Sequence, residues 1–140
     1  MEINDLQRHL IIKDVIAQLI KNDEDVVMNL WEPLATQIIS IVGEGGFNSL
    51  FLRTIYLNQA TFPWLAVSLL STQTNQQLMN LKMNLDKQAP AQLCEANSVL
   101  LITLTDILAS LIGEPLTIRI LQLAWGVELL TKAGMEFNDE

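Results

Sequence analysis

The chain has 140 residues, 50 % of them hydrophobic and only 17 % charged, with a formal net charge of −8, which suits a single domain able to bury a core without staples. Its cations (Arg8, Lys13, Lys21, Arg53, Lys82, Lys87, Arg119 and Lys132) are scattered, so nothing could neutralise several phosphates together and no nucleic-acid partner is expected. A lone cysteine, Cys94, rules out an internal disulfide and fits a reducing cytosol, while a lone histidine, His9, leaves no zinc ligand set and no Glu-x-x-His pairs for a di-iron bundle.

Asn4 is a good N-cap with Gln7 three residues on, the spacing of a capping box, so a first helix is predicted from about Asp5 to Lys21. Leu6, Leu10, Val15, Ile16, Leu19 and Ile20 recur at helical spacing and mark its buried stripe. Asp5 and Asp14 among these apolar residues argue against a secretory leader. The run Asn22-Asp23-Glu24-Asp25 ends this helix and opens the next, because acids favour a helix N-terminus.

A second helical region runs from about Glu24 to Val42, with Val26, Val27, Leu30, Trp31, Leu34, Ile38, Ile41 and Val42 in period. Pro33 lies inside it. Either one helix kinks between Asn29 and Pro33, or two helices meet there with Pro33 in a first turn. Gly43-Glu44-Gly45-Gly46 reads as a stop. A third helix follows from about Phe47 to Gln59, carrying Arg53 among Leu50, Phe51, Ile55 and Leu57. Pro63 then starts a short fourth, Trp64 to Leu70, apolar almost all round and therefore central.

Ser71 to Gln92 is rich in Gln and Asn, and Thr74 with Gln77 repeats the capping-box spacing. Leu78, Leu81 and Leu85 form a narrow stripe there, which predicts an amphipathic surface helix. Together with Met79 and Met83 they make a candidate partner surface, since methionine on a polar helix adapts to many shapes. Lys87 to Pro90 break this helix, and the next runs to Ile112 through the densest apolar stretch, Val99 to Ile112. Gly113-Glu114 stops it, Pro115 opens a last helix to about Lys132, Gly134 is a C-terminal cap, and residues 135–140 form a loose tail. Ala96 to Gly113 is the best candidate for a membrane span. Asp106 in its middle carries an insertion cost of about 2.5–3.5 kcal/mol, and no Lys/Arg cluster flanks it, so no span is expected.

Two stretches 70 residues apart echo each other. Ile39-Ser40-Ile41-Val42-Gly43-Glu44 resembles Ala109-Ser110-Leu111-Ile112-Gly113-Glu114, and the two capping boxes fall at the same offset. One reading is duplication of a unit, 1–70 and 71–140, packed about a pseudo-twofold axis. The other is convergence of amphipathic helices that end in Gly.

Charges set among apolar residues form the candidate polar network: Glu44, Arg53, Asp106, Glu114 and Arg119. Buried charges need partners, and the economical pairing puts Glu44 or Asp106 on Arg53 and Glu114 or Asp106 on Arg119. Such pairs would position helices or an interface, or one arginine would close a pocket for a small charged ligand. Exposure on a helix face is the third reading. His9 reads as a surface or boundary histidine beside Asp5, Arg8 and Lys13, and Cys94 as a small buried hydrophobe. The three tryptophans, with Phe47, Phe51, Phe62 and Tyr56, read as core, or as the lining of an apolar pocket.

These features predict an all-α fold, a compact bundle of about six or seven helices in one domain. They predict a non-catalytic, cytoplasmic interaction or assembly protein without cofactor or metal, whose partner is another protein or a second copy of itself. The alternative is a small-molecule sensor or carrier whose apolar pocket is closed by a buried arginine.

Overall fold

The computed structural model describes residues 2–21, 25–65 and 73–126. Among them are five helices and no strand: α1 (Glu2–Lys21), α2 (Met28–Asn58), α3 (Thr74–Asp86), α4 (Pro90–Ile112) and α5 (Glu114–Trp125). The all-α class stands. Six or seven helices were expected, and five are found because α2 runs through both Pro33 and the glycine-rich stretch. Of the short helix expected from Trp64 to Leu70, only a 3₁₀ turn at residues 63–65 is described; residues 66–70 and the C-terminal cap at Gly134 lie outside the described residues.

The helix starts follow from local chemistry. Asp25 Oδ1 accepts hydrogen bonds from the backbone N–H of Val27 at 2.9 Å and of Met28 at 3.1 Å, the pattern of an N-cap one turn ahead of α2. Pro33 falls five residues into α2, and the backbone stays helical across it. It removes one backbone donor, but Leu30, Trp31, Leu34 and Ala35 around it are all buried, and their packing holds the helix together.

The break comes ten residues later. Gly43 adopts φ 83° and ψ 166°, the single non-helical residue within α2, and the helix resumes at Glu44 instead of at Phe47. Gly113 does the same between α4 and α5, with φ 98° and ψ 153°. This corner of the backbone map belongs almost exclusively to glycine. A Cβ at Gly43 would meet nothing within 4 Å, so the cost of Gly43→Ala is one of backbone strain, about 1–3 kcal/mol. Gly45, which also has open space around it, lies at an ordinary helical φ. Gly45→Ala is therefore expected to stabilise the chain by about 0.5–1 kcal/mol. Opposite shifts in the urea midpoint of the two variants are the expected result; a shift of the same sign in both would remove the strain argument.

Packing is centred on α2 and α4. Among the described helices, α2 packs on α3, α4 and α5, α4 packs on every other helix, and α1 rests on α4 and α5 only. The core joins Leu30, Trp31, Leu34, Ile38, Phe47, Phe51 and Ile55 of α2 to Leu100, Leu101, Leu104 and Leu108 of α4, with Ile120 and Leu121 of α5. Trp31 meets Phe51 edge-on at 6.0 Å, and Phe51 stacks on Phe47 at 6.1 Å. Trp125 is buried and donates from Nε1 to the Leu30 carbonyl at 3.0 Å. Tyr56, expected in the core, is instead 65 % exposed on the outer side of α2. By length and composition alone α4 could cross a membrane; here Leu100, Leu101, Leu104 and Leu108 are buried against the other helices, while Leu111 is exposed.

In α1 the buried face is Ile11, Ile12, Val15 and Ile16, with Leu19 half-buried, while Leu10 is 55 % and Ile20 47 % exposed. The expected stripe was thus rotated relative to the observed one. The residue that extends the buried face toward the N-terminus is Arg8, one helical turn before Ile11 and Ile12 and only 1 % exposed.

Candidate functional site

Burying a guanidinium demands partners, and Arg8 finds them on two other helices. Its Nε donates to Glu114 Oε2 at 2.6 Å and its Nη2 to Glu114 Oε1 at 3.2 Å, a two-point fork. Its Nη1 donates to Asp106 Oδ1 at 2.6 Å and to Thr105 Oγ1 at 2.9 Å. The Thr105 hydroxyl donates in turn to the Leu101 carbonyl at 2.9 Å, so it serves as donor and acceptor at once. His9 Nε2 lies 2.9 Å from Asp106 Oδ1 on the solvent side of the cluster. The side chains of Glu114 and Asp106 are 13 % and 46 % exposed, and that of His9 is 30 % exposed.

The placement follows from three local facts. Arg8 shares the buried face of α1. Thr105 and Asp106 sit together on α4. Glu114 begins α5, where an acid suits the N-terminal end of the helix dipole, and the turn at Gly113 brings it back to α1. Burial by itself would lower the Arg8 pKa, but its hydrogen bonds to Glu114 and then Asp106 outweigh this and hold it above the ordinary arginine value. A raised pKa means the stabilisation is present at every pH below the unfolded value and is lost only as pH rises through the still higher folded value. The Arg8 guanidinium therefore stays charged across all ordinary buffers. Its arrangement acts as a clasp that pins α1 to the α4–α5 corner.

Two members of the expected network, Asp106 and Glu114, do come together. The expected arginines do not join them: Arg53 and Arg119 are exposed, as is Glu44, and among the described residues neither arginine makes an ion pair. The reason is geometric. Both arginines project from faces of α2 and α5 opposite to the buried residues of those helices, while Arg8, flanked by Gln7 and His9, looks polar in sequence and yet falls in register with Ile11, Ile12 and Val15. That register was the signal available in the sequence.

The candidate partner surface divides in two. Leu78, Leu81 and Leu85 are 2 %, 0 % and 0 % exposed and belong to the core, since the narrow stripe of α3 is the face it buries. Met79 and Met83, four residues apart on the opposite side, are 47 % and 54 % exposed.

Three further polar contacts escaped the sequence reading. Asn97, fully buried on α4, accepts from Trp31 Nε1 at 2.7 Å and donates to the Val26 carbonyl at 2.9 Å, tying α4 to the start of α2. Gln77 Nε2 of α3 donates to Asn48 Oδ1 of α2. Lys82 bridges Asp25 at 2.9 Å and Asp86 at 2.8 Å on the surface. Partial burial would raise the Asp25 pKa, but Lys82 and the two capping N–H groups pull it below the ordinary carboxylate range. A lowered pKa means the stabilisation is present above about pH 4 and is lost as pH falls through the lower folded value. Asp25→Ala is expected to cost about 1 kcal/mol and to flatten the acid limb of stability below about pH 4; an unchanged acid limb in thermal scans would separate Asp25 from that behaviour.

Among the described residues no three His, Cys, Asp or Glu side chains converge as a metal site. Cys94 is half-buried, less so than expected. It lines two adjoining open hollows between the end of α1 and the start of α4, of about 250 Å³ and 370 Å³, together with Ile20, which borders both. No family model, no curated protein and no solved structure matches this chain.

Proposed function

We propose that this chain is a non-catalytic, cytoplasmic helical assembly module that docks a helix surface onto a protein partner or onto another copy of itself. The observation that carries the reading is the set of large apolar side chains left in water on otherwise ordered helices, Met79 and Met83 on α3 and Leu111 at 66 % exposure on α4 among them. Water-exposed apolar surface in this amount is stabilised by being covered. The buried charges meanwhile are spent on holding α1 in place, which supports a structural role for them.

The reading extends to the internal echo. Gly43 and Gly113 share an unusual backbone conformation, each is followed by a glutamate that starts a helix, and they lie 70 residues apart. The leading helix α1 packs on α4 and α5, and α3 packs mainly on α2, with a smaller contact to α4 of its own half. Two copies of one unit, each resting its first helix on the other's bent pair, account for this reciprocity, and neither copy would bury its apolar face alone.

Native mass spectrometry on gently purified protein tests the assembly reading. A multimer or a retained protein partner is expected, and Met79→Glu with Met83→Glu is expected to weaken that complex while leaving helicity unchanged, because both side chains already face water. A bare monomer that captures nothing would sink the reading. The apolar hollows beside Cys94 favour one alternative, a small-molecule carrier; a subunit mass increased by a discrete small molecule would put that reading first. No arginine closes those hollows: their charged lining is Lys13, Asp86 and Glu95.

A further inference from the structure

We draw no further inference here: the strongest candidate, the pair of open apolar hollows between the end of α1 and the start of α4 that Ile20 and Cys94 border together, carries nothing, because a lone cysteine singles out no ligand, the lining mixes Lys13 with Glu95 and Asp86 and so favours no ligand charge, and nothing in the structure shows what covers them.

Discussion

Arg8→Met is expected to lower stability by about 3 kcal/mol, the lower end of what removing one partner of a buried ion pair costs. The guanidinium is 1 % exposed, and its loss strands the Glu114 carboxylate at 13 % exposure beside Asp106. Two like charges then share a site with no cation between them. The estimate sits at the low end because Asp106 is 46 % exposed and can take up water in place of the arginine. For a domain of this length such a loss is roughly a 10 °C fall in Tm. The pairwise origin has its own test. Arg8→Met combined with Glu114→Gln removes the stranded charge, so the double variant is expected to lose clearly less than the two single losses added together. Additive losses in a thermal or urea series would mean that Arg8 acts through packing of its stem alone. Because, among the described helices, α1 touches only α4 and α5, hydrogen exchange should show the loss concentrated in α1 and in the end of α4.

A second large effect is expected at Trp31. Its side chain is fully buried, meets Phe51 edge-on at 6.0 Å, and donates to Asn97 at 2.7 Å. Trp31→Ala removes the largest fully buried side chain among the described residues and opens a cavity near the start of α2, at a cost of about 3–5 kcal/mol. That is a large share of the roughly 5–15 kcal/mol that holds an ordinary domain together, so partial unfolding at room temperature is expected. Trp31→Phe separates the two contributions. It keeps an aromatic ring against Phe51 and leaves Asn97 Oδ1 buried without its donor, which costs about 1–3 kcal/mol. Urea titration followed by circular dichroism at both far and near ultraviolet wavelengths would read these losses. If Trp31→Phe proved neutral, the Asn97 bridge between α4 and the start of α2 would carry no net stability, and the cost of Trp31→Ala would be purely one of volume.

The exposed arginines and the buried one show where reading the chain as text stops. Arg53 and Arg119 stand between isoleucines and leucines and so look enclosed, yet neighbours in sequence point to different sides of a helix. Arg8 stands between polar residues and looks solvated, yet it completes a turn with Ile11 and Ile12. The same rule divides α3. Leu78, Leu81 and Leu85, which read as an amphipathic surface stripe, are core, because the one apolar stripe of a polar helix is the part it buries. Met79 and Met83 were the residues left outside. Polar contacts such as Asn97 with Trp31 join positions 66 apart in the chain, and no local pattern announces them.

Periodicity and breakers by themselves determined that the described residues are helical, that α3, α4 and α5 start close to where they do, and that Gly43 and Gly113 mark corners. These are local properties, set by backbone sterics and by spacing of apolar residues within a few turns. The two expected capping boxes do not cap, since α1 begins at Glu2, ahead of Asn4, and α3 follows Gln73 with no side-chain cap. The tertiary structure alone decided that α2 passes through Pro33, because buried neighbours outweigh one missing hydrogen bond. It also decided which arginine is buried and which carboxylates hold it. Those outcomes depend on how helices far apart in the chain rotate about their axes to fit one core, and that rotation is fixed by the packed ensemble of side chains and not by any one segment.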